Sequence, residues 1–158
     1  MNGNEQMPLS YELVMTMAMS FRLIVDRLHE QLAACGYDDV RPAHGFVFQR
    51  LSFGGATGNE IAEHLSVTKQ AASQMIEELT AKGYVTRRPH PADSRAKLVE
   101  LSERGWGCIR ETERHFHEIQ RQIVELLGAQ RAGELQLDQR RILQMLNDGK
   151  PASFRPVW

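Results

Sequence analysis

Residues 57–101 read TGNEIAEHLSVTKQAASQMIEELTAKGYVTRRPHPADSRAKLVEL. Thr57-Gly58-Asn59-Glu60 has the T-x-x-E spacing of a capping box, in which the threonine hydroxyl accepts from the amide of Glu60 and Glu60 reaches back. Ile61, Ala62 and Leu65 then supply an apolar stripe at helical spacing. Ser66 and Val67 intervene before Thr68, a second good N-cap. In the helix it opens, Ala72, Met75, Ile76 and Leu79 fall at i, i+3, i+4 and i+7 and form one buried face. Gly83 is the expected stop, since glycine enters the left-handed conformation without strain. Two helices so closely joined make a helix-turn-helix. Val85–Arg88 and Lys97–Leu101 are β-prone runs, separated by a turn-rich tip, Pro89 to Ser94, whose prolines should interrupt the strands. The predicted fold is mainly α (α+β): a winged helix-turn-helix.

Once the inward face of the second helix is fixed, Lys69, Gln70, Ser73 and Gln74 must point outward near its N-terminal end. In this geometry that end meets base edges. Gln can pair bidentately with adenine, Lys can donate to guanine, and Ser can bond several partners. Thr68 and the free amides of the first turn suit a phosphate. The hairpin adds Arg87, Arg88, Arg95 and Lys97. From Ser66 to Val99 six basic side chains face three acidic ones, so this segment carries +3 and the remainder −4 within an overall charge of −1. A locally basic segment on a nearly neutral chain fits reversible phosphate binding. The bland readings are solvated polar residues and a solvated hairpin. A winged module docking a protein would instead expose aromatic or aliphatic anchors on this face.

The run from Pro42 to Leu101 resembles the MarR family of bacterial transcription regulators. Asp93-Ser94-Arg95-Ala96-Lys97 matches that family's D-x-R-[AS]-K wing motif. Glu60-Ile61-Ala62 with Leu65 and Val67-Thr68-Lys69-Gln70 match its helix-turn-helix, and Leu101-Ser102-Glu103-Arg104-Gly105 its link into a long helix. The resemblance implies a homodimer that reads double-stranded DNA at a pseudo-palindromic operator, as a repressor released by a small effector. It also implies that Arg95 enters the minor groove and that Asp93 helps hold it. Two departures stand out: Arg41 precedes Pro42 where Ser or Thr would cap better, and Gly45 lies inside the following helix.

The flanks are expected to be long dimerisation helices. Leu13, Met17, Phe21, Ile24, Leu28 and Leu32 form one stripe, widened by Val14, Ala18 and Val25. Ser102 should cap a second long helix with Trp106, Ile109, Phe116, Ile119, Ile123 and Leu127 on one side, stopped by Gly128. A last helix, from about 130 to 146, presents Leu135, Ile142, Met145 and Leu146. The expected organisation is a dimerisation helix over 1–36, a DNA-binding lobe over 37–102, dimerisation helices over 103–147 and an irregular tail over 148–158 in which Phe154 and Trp158 pack on a partner. A chain of 158 residues is one domain in size.

An effector of the small aromatic or phenolic kind that the resemblance implies would bind between the dimer helices and the lobe. Met15, Met19, Phe46 and Phe48 are candidate walls, with Arg22 or His44 as polar anchors; Met suits a permissive pocket but equally a plain core. Cys35 and Cys108 lack metal spacing and read as free thiols. Some relatives sense oxidants through a thiol near the start of the first helix, whereas Cys35 lies at its end. A zinc-responsive alternative would draw on His44, Cys35, Glu111 and His115, although no tight ligand motif exists. No metal and no cofactor is expected. The chain has no G-x-S-x-G, Gly-rich phosphate loop or H-E-x-x-H, so it does not read as an enzyme. No apolar run is long enough to span a bilayer, and the start lacks a signal-peptide pattern, so no membrane partner and a cytoplasmic location are expected.

Overall fold

The computed structural model describes residues 11–150. Six helices and a small sheet follow in the order α1 (Glu12–Ala34), α2 (Pro42–Ser52), β1 (Ala56–Thr57), α3 (Gly58–Leu65), α4 (Lys69–Ala81), β2 (Val85–His90), β3 (Asp93–Leu101), α5 (Glu103–Leu127) and α6 (Ala129–Leu146). The expected packing of Phe154 and Trp158 lies outside the described residues. The capping box forms at α3: Thr57 Oγ1 accepts from the Glu60 amide at 3.3 Å, and the Thr57 amide donates to Glu60 Oε2 at 2.7 Å. Thr68 Oγ1 accepts from the Ala71 amide at 3.1 Å to open α4. Between the two helices Ser66 takes a left-handed φ of 54°, a conformation that costs a non-glycine residue some strain. Gly83, at φ 77°, ends α4 with the Tyr84 amide donating back to the Leu79 carbonyl at 2.9 Å, a Schellman closure. At α2 the Arg41 amide donates to His44 Nδ1 at 3.1 Å, so the third residue of the helix reaches back to the amide just before it.

The wing is larger than the sequence pattern suggests. Its two strands run to His90 and from Asp93, and a third strand, β1, pairs with β3 to give the order β1-β3-β2, all antiparallel. Pro89 does not interrupt β2, because β2 is an edge strand and an edge tolerates a missing amide donor. The disturbance is confined to a register shift between Pro89 and His90.

The core belongs to the lobe. Phe46, Val47, Phe48 and Leu51 of α2 are buried against Ile61 and Leu65 of α3, Ala72, Ile76 and Leu79 of α4, and Tyr84, Val85 and Val99 of the wing. The flanking helices join this core only at their lobe-facing ends, through Leu28, Leu32 and Cys108. Farther along, Leu13 and Val14 of α1 are 65% and 66% exposed, and Met145 and Leu146 of α6 are 67% and 71% exposed. The apolar stripes are therefore real, but a single protomer does not cover them.

One polar cluster ties the flanks to the lobe. The Arg104 guanidinium at the start of α5 lies 4.6 Å from the Tyr84 ring centre and 5.7 Å from that of Tyr37. Its Nη2 donates to the Tyr84 hydroxyl at 3.0 Å, and to Asp39 Oδ1 and the Gly36 carbonyl at 3.4 Å each. The Tyr84 hydroxyl in turn donates to Asp39 Oδ1. Burial alone would raise the Asp39 carboxyl, but the Tyr84 hydrogen bond and the Arg104 charge hold it below its ordinary range. Ser102 closes the corner, accepting from the Gly105 amide at 3.1 Å and donating to the Gly83 carbonyl at 2.6 Å.

This corner requires glycine at 105, where a Cβ would sit 2.3 Å from the Tyr84 carbonyl oxygen. Gly105→Ala should lower stability by about 2–3 kcal/mol. Gly133→Ala, with open space around it in α6, should be neutral or stabilising by up to ~1 kcal/mol. Urea titrations that rank the two variants in the opposite order would refute this account of the corner. A second expectation concerns pH. Burial holds His29, His44, His64 and His115 below their ordinary pKa, so below about pH 6.5 the unfolded chain takes up protons that the folded one refuses. Stability should be greatest above that pH and should fall as pH drops from about 7 toward 5. An unchanged urea midpoint across that window would contradict it.

Candidate nucleic-acid interface

The α4 face begins at the Thr68 cap. Lys69, Gln70, Ser73 and Gln74 are all exposed, whereas Ala72, Ile76 and Leu79 are buried and Met75 is half-buried, as the helical phase requires. Among the described residues, none of these four polar side chains forms a hydrogen bond or ion pair within the protomer. Their donors and acceptors are all turned to solvent. Because the Thr68 hydroxyl accepts from Ala71, it is already engaged as a cap.

The wing divides its cations into two kinds. Arg88 is held across the hairpin by Glu100, with Nε to Oε2 at 2.7 Å and Nη2 to Oε1 at 2.8 Å, a bidentate pair. Arg87, the Arg95 guanidinium and Lys97 are exposed and have no such partner among the described residues. Asp93 does not touch the Arg95 guanidinium. Its Oδ1 accepts from the Arg95 backbone amide at 2.9 Å, so it orders the chain at the wing tip and leaves the side chain free.

The far end of α4 is anchored. Glu78 pairs with Arg41 and with Lys82, whose Nζ reaches Glu78 Oε1 at 2.6 Å and the Asp39 carbonyl at 2.8 Å. The Lys82 hydrogen bond leads the effects that keep the Glu78 carboxyl below its ordinary range. His44, one of the expected pocket anchors, sits in this cluster instead, fully buried with Nε2 3.6 Å from Glu78 Oε2. Its Nδ1 accepts from Arg41, so the proton lies on Nε2 and points toward Glu78.

A cavity of about 660 Å³ opens between α1, α2 and α5. Phe46 and Phe48 line it, joined by Phe21, Trp106 and Phe116, whose periodicity alone reads as dimer stripe. Met15 and Met19 do not reach it: both are more than half exposed on the outer part of α1. Arg22 pairs with Asp26 at 3.0 Å on the helix surface. One wall residue, Gln49, accepts from His64 Nε2 of α3 at 3.0 Å and so joins the cavity to the helix-turn-helix. Only spatial proximity, which the sequence does not carry, could have singled it out.

The residues weighed for zinc do not converge. Among the described residues no three His, Cys, Asp or Glu side chains could hold a metal ion. Glu111 is engaged by Arg114, accepts from the Cys35 thiol at 3.6 Å and lines a polar groove together with His115, whereas His44 lies apart, buried beside Glu78. Cys35 is exposed; Cys108 is buried, and that burial pushes its thiol up to about 11, which keeps it protonated. No described helix is long and apolar enough to cross a membrane.

Residues 41–96 match the MarR family. No curated protein sequence matches the chain significantly. Among solved structures, the apo form of MarR from E. coli shares 25% identity with a TM-score of 0.66, over 89% of this chain and 99% of that one. A transcriptional regulator from Thermotoga maritima gives 22% identity and 0.60, over 87% and 99%. An S. aureus MepR mutant bound to an oligodeoxyribonucleotide gives 20% and 0.62, also over 87% and 99%. The family match thus lies on the winged lobe, and the fold shared with these solved regulators extends over most of the chain, so the protein has the winged helix-turn-helix fold of MarR-type proteins.

Proposed function

We propose that two copies of the chain read a roughly palindromic duplex, with α4 of each in a major groove and each wing at a flanking minor groove. Occupancy blocks transcription, and a small effector bound in the cavity releases the DNA. The observation that carries this reading is the unspent polarity of one surface. Lys69, Gln70, Ser73 and Gln74 of α4 and Arg87, Arg95 and Lys97 of the wing are solvent-facing and unpaired among the described residues, while the opposite side of the same helix is buried or anchored by Glu78. Such a set suits base edges and phosphates together. The MepR structure with an oligodeoxyribonucleotide supports the same use of the fold. Release by an effector requires that it bind better to a dimer whose recognition helices are wrongly spaced for DNA.

Selection of bound sequences from a random duplex pool at near-physiological salt should yield a palindromic consensus; recovery of no motif would count against sequence-specific regulation. On that consensus, Arg95→Ala should weaken binding to all sequences by about tenfold, and Gln70→Ala should relax preference at one base position by ~1–3 kcal/mol. Arg88→Ala should cost much less than Arg95→Ala, since Arg88 is already committed to Glu100. Equal losses for the two arginines would overturn the division of the wing.

A further inference from the structure

The cavity between α1, α2 and α5 is lined almost wholly by apolar and aromatic side chains, with Phe21, Phe46, Phe48, Trp106 and Phe116 among them. Among the described residues no lysine or arginine lines it, and its ionisable side chains, besides the buried Cys108 thiol, are His29 and Glu113. Desolvation keeps His29 below its ordinary pKa, so near neutral pH it is an uncharged imidazole. Glu113 is the exception on its helix. α5 carries five glutamates, and Glu103, Glu111, Glu118 and Glu125 each pair with an arginine. Glu113 has no cationic partner among the described residues, and it alone of the five borders the apolar cavity.

Glu113 is exposed at the mouth of this apolar space, so it opposes a second negative charge entering there and attracts a positive one through partly screened solvent. Aromatic rings act in the same sense, because their electron-rich faces attract cations. A ligand carboxylate or phenolate would find no cation in the wall and would lose its hydration without replacement.

We propose that the cavity selects lipophilic cations, compounds with an aromatic or aliphatic body and a protonated or quaternary amine, with Glu113 as the residue that sets the sign of the ligand's charge. This rests on the reading of the cavity as the effector site, and it narrows the expectation of a phenolic effector to one without an anionic group.

The test uses three ligands with one aromatic body: 1-naphthylmethylammonium, 1-naphthalenemethanol and 1-naphthoate. Each is titrated calorimetrically into the full-length dimer near pH 7. The ammonium should bind about tenfold or more tightly than the carboxylate, the alcohol falling between. Glu113→Gln should bring ammonium and carboxylate together while leaving the alcohol's affinity unchanged, which also reports that the cavity is intact. Equal or tighter binding of the carboxylate, or a preference that survives Glu113→Gln, overturns the proposal. Failure of all three to bind removes the effector reading of the cavity and the proposal with it. The charge preference without displacement of operator DNA would retain the ligand class and remove only the coupling to regulation.

Discussion

Arg104 lies against two tyrosine rings and against Asp39, and the relation of the lobe to the helices outside it depends on that contact. Tyr37 and Asp39 come from the loop after α1, Tyr84 from the turn after α4, and Arg104 from the first turn of α5. Three chain segments far apart in sequence thus meet on one guanidinium, which bonds in its plane and stacks through its faces. Gly105 lets the helix come close enough for this, and Ser102 fixes its first turn to the end of α4. The same loop after α1 receives Lys82 through the Asp39 carbonyl, and Lys82 holds Glu78 on α4. Helix α4 is therefore braced at its C-terminal end and left open at its N-terminal end.

That division explains how a chain of net charge −1 can present a cationic surface. Between Ser66 and Val99, Lys82 and Arg88 are paired within the protein, whereas Lys69, Arg87, Arg95 and Lys97 have no partner among the described residues. Local pairing, rather than overall charge, decides which groups face outward with their hydrogen-bonding capacity intact.

The helix-turn-helix was legible because its signals are short-range: two threonine caps, a glycine stop and a four-residue apolar stripe each lie within about one or two turns of the backbone they control. The wing was only partly legible. Ala56 and Thr57 become a strand through pairing with Leu98 and Val99, a relation some forty residues long that no local pattern announces. The Arg88–Glu100 pair depends on register, which follows from the length of β2 beyond Pro89. The cavity was the least legible part. Its walls come from three helices, and a stripe cannot say where along its length a partner is met. Met15 and Met19 share a helix with Phe21, yet only Phe21 reaches the cavity. His44 had the polarity of a ligand anchor, but the cap it provides for Arg41 draws it into the interior.

Glu100 has a thermodynamic meaning of its own. Binding of proteins to duplex DNA draws much of its strength from small ions set free when side chains neutralise phosphates. Arg88 already carries its counter-ion, and that counter-ion is covalently part of the protein and cannot diffuse away. Moving Arg88 to a phosphate would break two good hydrogen bonds and strand a carboxylate beside the polyanion. In the proposed complex, entropy-driven attraction would therefore fall to the unpaired wing cations, while Arg88 stays neutralised by Glu100. On the proposed DNA-binding reading, such an arrangement would limit indiscriminate adhesion to the long excess of non-specific DNA, where electrostatics is nearly all there is, and would leave a larger share of the total binding energy to contacts that depend on sequence.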